Sequence, residues 1–148
     1  MSNVVLESVH KAFDANPVVR GFELHVAAGE FVSLLGASGC GKTTVLRLIA
    51  GLETPDAGRI QVGNRVVVDA TTGTWIPPER RRIGMVFQSY AVWPHMTVLA
   101  NVAYPLRVRG LGKDERVART LAILRRVGLE GLERRRPHQL SGGQQQRV

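Results

Sequence analysis

Gly36-Ala37-Ser38-Gly39-Cys40-Gly41-Lys42-Thr43 reads G-x-x-x-x-G-K-[ST], the pattern of a loop that cradles phosphates. Its setting decides the fold. Before it, Glu30-Phe31-Val32-Ser33-Leu34-Leu35 is short and largely apolar, which predicts a buried strand. After it, Thr44-Val45-Leu46-Arg47-Leu48-Ile49-Ala50 spaces Val45, Leu46 and Ile49 for one helix face. Strand, glycine loop and helix is the order the motif requires. Gly36, Gly39 and Gly41 permit positive φ and close backbone approach. Successive N–H groups can then turn inward on an anion, and the helix N-terminus adds unpaired donors and its dipole. Lys42 supplies a point charge for β- and γ-phosphates. The Thr43 hydroxyl suits Mg²⁺, a hard cation that takes oxygen ligands. The alternative is a plain glycine turn with a surface lysine, and the full pattern between strand and helix weighs against it. The loop indicates a bound triphosphate and is silent on what is done with it.

The 148 residues suffice for one domain with a core, and 44% hydrophobic against 22% charged residues is a soluble globular balance. No apolar run is long enough to span a bilayer, and no signal segment opens the chain. Cys40 is the single cysteine, which rules out an internal disulfide and suits a reducing cytosol. Within the loop it is either a modifiable thiol or a small residue at an unspecified position. The net charge of +8 suits nucleic acid, anionic lipid or a phosphorylated ligand. Its arginines are dispersed, apart from Arg80-Arg81-Arg82 and Arg134-Arg135-Arg136, and neither cluster is interleaved with aromatics. Solvated faces and partner contacts are favoured over nucleic acid.

Along the chain, Val4 to His10 is a first strand and Asp14-Ala15-Asn16-Pro17 a turn. Phe22, Leu24 and Val26 alternate with polar or small neighbours as in a half-buried strand. Hairpin-like and buried strands together predict a mixed sheet. Arg59 to Val62 and Arg65 to Asp69 flank Gly63-Asn64, a hairpin turn. Ala70 to Arg82 reads as a loop, and Ile83 to Phe87 as another strand. The texture then turns helical. Thr97 is an N-cap for Val98 to Ala103, closed by Pro105. Lys113 to Val127 is a helix with Val117, Leu121 and Leu124 on one face and Gly128 as its stop. Ser141 caps a last, glutamine-rich helix start.

Leu140-Ser141-Gly142-Gly143-Gln144 is a second glycine-bearing helix start, readable as another anion site or as an ordinary capped helix. The two motifs together resemble the ATP-binding subunit of an ABC transporter over the whole chain. Gly36 to Thr43 is similar to the family's Walker A motif and Leu140 to Gln144 to its signature, followed by Gln145-Gln146-Arg147-Val148. Gln88 resembles the Q-loop glutamine. Phe13 sits where the family places an aromatic that stacks on adenine, the alternative being a core aromatic. Tyr90 to Val98 resembles the bacterial importer branch for polyamines, ferric iron, sugars, sulfate or phosphonates. The implied fold is α/β: a P-loop NTPase core with an N-terminal antiparallel β portion over residues 1–88 and a helical subdomain over 89–148, incomplete at the C-terminus. By resemblance the cofactors are ATP and Mg²⁺. Gly36, Ala37, Ser38, Gly39, Cys40, Gly41, Lys42 and Thr43 would hold the phosphates, with Thr44 assisting at the α-phosphate. Thr43 and Gln88 would hold Mg²⁺, and Lys42 and Gln88 carry the catalytic roles, Gln88 sensing the γ-phosphate. Ser141, Gly142, Gly143 and Gln144 would close over ATP on a second ATP-binding subunit, head to tail. The other implied partners are transmembrane permease subunits and, indirectly, a periplasmic or extracellular solute-binding protein. No nucleic acid is expected, and the implied location is peripheral, on the cytoplasmic face of the membrane. Trp93, Pro94 and Met96 form an apolar loop that either docks on the permease or folds Trp93 into the core.

The sequence departs from the family pattern after Val148, where a Walker B strand with its aspartate and glutamate is expected. Three functions therefore stand side by side: importer ATPase subunit, nucleotide-binding fragment without turnover, and DNA-associated ABC ATPase. Long insertions are usual between the two motifs in the last class, and the spacing here is compact. Phosphoryl transfer depends on positioned carboxylates and metal. Residues 1–148 alone are accordingly expected to bind ATP poorly and to hydrolyse it hardly at all. Steady-state phosphate release, measured beside a chain extended through the next strand, checks this; equal rates, abolished in both by Lys42→Ala, would contradict it.

Overall fold

The Asp14-Ala15 turn folds the first strand back on itself. Both residues have positive φ, 46° and 66°, and Phe13 pairs with Asn16 across them. This is a two-residue hairpin turn whose twist matches its strands. The computed structural model describes residues 2–148, which form two compact units, 2–85 and 86–148.

In the first unit β1 (Val4–Phe13), β2 (Asn16–Val26), β3 (Ala57–Val62), β4 (Arg65–Asp69) and β5 (Thr74–Trp75) form one sheet in the order β2-β1-β3-β4-β5. Every pairing is antiparallel, so the expected mixed sheet is corrected. The Gly63-Asn64 hairpin is present, with Val62 opposite Arg65. β5 was unexpected in a polar stretch. Its turn is closed by the Asp69 carboxylate, which accepts from the Thr71 N–H at 3.0 Å and its hydroxyl at 2.6 Å. Leu6 and Val9 are both buried although three residues apart, because the register shifts between them at Ser8. Such a bulge restores an inward-facing side chain after an odd number of residues. The helix α1 (Lys42–Ala50) buries Val45, Leu48 and Ala50, and Val45 and Leu48 join Leu6, Val9, Val19, Ile60, Val67 and Val68 in the core. Leu46, expected inside, is exposed; Leu48 takes that role.

The segments Glu30–Leu35 and Ile83–Phe87 do not form strands. Phe31 and Leu35 are each 91% exposed and Val86 97%. The physical reason is pairing. A strand exists only as part of a ladder, and no strand among the described residues runs beside either segment to take its N–H and C=O groups.

In the second unit α2 (Val98–Val108) runs through Pro105, three residues beyond that proline, rather than closing before it. Proline forfeits its own N–H bond, but its carbonyl still accepts from the Arg109 N–H at 3.1 Å. Burial of Val98 with Leu124, Leu129 and Leu140 holds the helix in place. In α3 (Lys113–Arg126) the buried positions are Thr120 and Leu124, and Leu121 is exposed. Thr120 is tolerated there because its hydroxyl donates to the Arg116 carbonyl at 2.8 Å. Gly128, φ 67°, ends the helix, and α4 (Gly142–Gln145) follows the Ser141 cap.

One buried side chain shapes the loop before α2. The Asn101 carboxamide accepts from the Trp93 N–H at 2.8 Å and donates to the carbonyls of Trp93 and Thr97 at 3.2 and 3.0 Å. Removing it leaves the Trp93 N–H without a partner, while the Trp93 and Thr97 carbonyls keep the Met96 and Asn101 N–H groups, so Asn101→Ala should lower the stability of this unit by about 1–3 kcal/mol. Urea unfolding together with hydrogen exchange at the Trp93 amide checks it; unchanged exchange there would show that the clamp does not hold the loop.

Candidate functional site

Gly41 is the hinge between loop and helix. It has φ 95° and forms the N-cap of α1 without a side chain to cap it. A Cβ at this position would lie 2.9 Å from the Val18 carbonyl oxygen on β2. Glycine is thus required twice over, by conformation and by close approach. The consequence is chemical. The N–H groups of Lys42, Thr43 and Thr44, in the first turn, have no intrahelical acceptor and no cap, and they carry the positive end of the helix dipole.

Lys42 folds back over the loop. Its ammonium donates to the Gly36 carbonyl at 2.9 Å and the Ala37 carbonyl at 2.7 Å, and lies 3.5 Å from Cys40 Sγ. These acceptors are neutral. A phosphate oxygen offers a charge-assisted bond roughly twice as strong, so an anion over the loop competes well for the same ammonium. Gly36, φ 154°, is also sterically confined, because a Cβ there would meet Cys40 Sγ at 2.6 Å. Thr43 is exposed and Thr44 half-buried. The Lys42 ammonium and the unpaired first-turn amides therefore bring positive charge together at the start of α1.

Arg81 supports this helix from its other end, and the sequence reading missed it. Within an arginine run expected to be solvated, Arg81 is only 4% exposed. Its Nη1 donates to the Leu48 and Ile49 carbonyls at 2.8 and 3.0 Å and its Nε to the Ile76 carbonyl at 2.6 Å. A cation at a helix C-terminus satisfies orphan carbonyls and the negative dipole end. Burial pulls its pKa below the ordinary guanidinium value, yet arginine stays charged. The only signal available was the Ile49-Ala50-Gly51 helix end, which does not say which distant cation serves it.

Phe13, at the end of β1, is 41% exposed and so not a core aromatic. The Lys11 ammonium sits over its ring, 5.2 Å from the centroid. Arg20 shares a small cleft with Cys40, Gly41 and Lys42; nothing in its strand context marked it.

The remaining candidates belong to the second unit. Gln88 is exposed in an irregular segment. Ser141 and Gln144 form a capping box: the Gln144 N–H donates to Ser141 Oγ at 3.4 Å and the Ser141 N–H to Gln144 Oε1 at 2.9 Å. Gly142 packs beside the Tyr90 hydroxyl, which a Cβ would approach to 3.1 Å.

The profile of the ABC transporter family matches residues 19–148. The chain belongs to the ABC transporter family. It is similar to the trehalose/maltose import ATP-binding protein MalK of Thermococcus litoralis, 49% identical over 148 residues, all of this chain and 40% of that protein. It is also similar to the spermidine/putrescine import ATP-binding protein PotA of Escherichia coli, 52% identical over 145 residues, 98% of this chain and 37% of that protein. Among solved structures, an ATP-binding cassette in a dimeric post-hydrolysis state bound to ADP and Pi superposes with a TM-score of 0.82 at 35% identity, over 97% of this chain and 66% of that one. The chain thus spans about two fifths of the length of these curated relatives. The ABC cassette fold, with its antiparallel sheet and helices, is the one described above.

Because glycine at position 41 is imposed by φ and by Val18, Gly41→Ala should destabilise the first unit by at least about 1–2 kcal/mol, the cost of a left-handed L-residue. Urea denaturation checks this, and an unchanged midpoint would show that the loop–β2 contact is loose.

Proposed function

We propose that the chain is the ATP-binding portion of an importer subunit, using ATP binding and hydrolysis to drive solute entry. The observation that carries this reading is the uncapped N-terminus of α1 beneath the Lys42 ammonium, in a chain whose relatives are import ATP-binding proteins. In this reading the loop amides and Lys42 hold the β- and γ-phosphates, and Thr44 assists at the α-phosphate. Thr43 and Gln88 supply oxygens for Mg²⁺, which neutralises phosphate charge when bound. Phe13 stacks on the base. Ser141, Gly142, Gly143 and Gln144 serve ATP on a second ATP-binding subunit. A dimeric cassette among the similar structures supports that arrangement.

The permease is the proposed membrane partner. Trp93 is exposed, its ring tilted 42° against Tyr104 with centroids 4.5 Å apart, and its backbone is clamped by Asn101. α2 and α3 leave between them an almost wholly apolar trough, lined by Val102, Pro105, Leu106 and Ile123. Such a preformed aromatic and apolar surface suits a protein interface. No helix among the described residues is long and apolar enough to cross a membrane, so attachment at the cytoplasmic face would run through this partner. A solute-binding protein would act through the permease.

Lys42→Ala deletes charge-assisted bonds worth about 1.5–3 kcal/mol. Calorimetric titration with ATP·Mg²⁺ should show about ten- to a hundredfold weaker binding than the parent chain. Equal affinity in a folded variant would remove the loop from the nucleotide site.

A further inference from the structure

We propose that Asp56 is a positioning residue for the nucleobase: through Lys11 and the Ala12 amide it fixes Phe13 as the platform on which the base stacks. This rests on the reading of Phe13 and the glycine loop as one nucleotide site.

Phe13 is the last residue of β1, at the turn end of a hairpin. A half-exposed ring in such a place has little packing to set its orientation. The third strand does not supply it, because the β1–β3 pairing ends at His10 opposite Ala57. The Asp56 backbone makes one last ladder bond, its N–H donating to the His10 carbonyl at 2.9 Å. From there its side chain continues where the strand stops. One carboxylate oxygen accepts from the Ala12 N–H at 2.6 Å, and the other accepts from the Lys11 ammonium at 3.1 Å. The Ala12 N–H, joined by the Lys11 ammonium, holds the Asp56 carboxyl below the usual carboxylate range.

Lys11 and Phe13 are two apart on one strand and share a face. The Lys11 side chain is only 15% exposed, so its ammonium is held rather than free in solvent. It lies over one face of the ring, an attractive placement against the π-cloud, and leaves the other face for a base. The location fits the glycine loop. Gly41 packs on Val18, which is two residues along β2 from Asn16, the register partner of Phe13. At about 3.3 Å per residue and about 4.8 Å between strands, the Phe13 and Val18 backbones stand about 8 Å apart, so Phe13 and the start of α1 border the same end of β2.

The test compares ATP with inorganic tripolyphosphate, which carries the phosphates without a base. Both are titrated with Mg²⁺ into residues 1–148 and into Asp56→Asn, Lys11→Met, Phe13→Ala and the Phe13→Ala/Asp56→Asn double variant. Asp56→Asn and Lys11→Met should each weaken ATP about three- to tenfold, the value of one or two such bonds, and leave tripolyphosphate affinity unchanged. In the Phe13→Ala background, Asp56→Asn should have no further effect on ATP. Equal losses for both ligands, no loss in either variant, or full additivity with Phe13→Ala would overturn the positioning role while leaving the phosphate loop in place. Failure of the parent chain to bind either ligand would overturn the nucleotide site itself, and this proposal with it.

Discussion

The α1 helix is held by backbone contacts at both ends, and the rest of the site depends on that. At its start, Gly41 rests against the Val18 carbonyl; at its finish, the Arg81 guanidinium takes the Leu48 and Ile49 carbonyls. Between them Val45 and Leu48 sink into the sheet's core. A helix fixed this way can leave its first-turn amides uncapped, because its stability comes from packing and from its far end rather than from a capping side chain. Those amides remain as the proposed binding surface. The same logic explains why the buried arginine is kept despite its desolvation cost: its Nη2 has no partner among the described residues, but its other donors close a helix end whose Ile49 carbonyl would otherwise lack a partner.

The second unit shows a related economy. Asn101 is buried, and its amide satisfies the loop that presents Trp93, so an exposed aromatic is carried on fixed backbone. Preorganisation of this kind lowers the ordering cost of any later association. Trp93 and Tyr104 offer large rigid rings, and the apolar trough between α2 and α3 offers a concave surface. The Ser141–Gln144 capping box, by contrast, commits its side chains to its own backbone and leaves Gly142 and Gly143 exposed.

Local chemistry was legible in the sequence, and long-range service was not. The Gly63-Asn64 hairpin, the Thr97 and Ser141 caps, the Gly128 stop and the glycine loop each follow from residues within a few positions of one another. Errors arose where a distant partner decides. Leu46 and Leu121 fit a helical period, but the cores lie beside Leu48 and Thr120 instead. Glu30–Leu35 and Ile83–Phe87 have strand composition, yet composition cannot supply the neighbour that a ladder requires. Arg81 looked like its solvated neighbours Arg80 and Arg82, and Asp56 lies in Pro55-Asp56-Ala57-Gly58, a stretch of turn composition. Only the fold brings the one to α1 and the other to Lys11 and Ala12.

The central claim is that the unpaired amides at the start of α1 are the phosphate-binding surface. Titration of ¹⁵N-labelled protein with ATP·Mg²⁺, followed by amide chemical shifts, tests it directly. The account predicts saturable shifts concentrated at Gly39, Gly41, Lys42, Thr43 and Thr44, with the amides of β3 and β4 nearly unmoved. Saturable binding that leaves those five amides unshifted and moves others would contradict it.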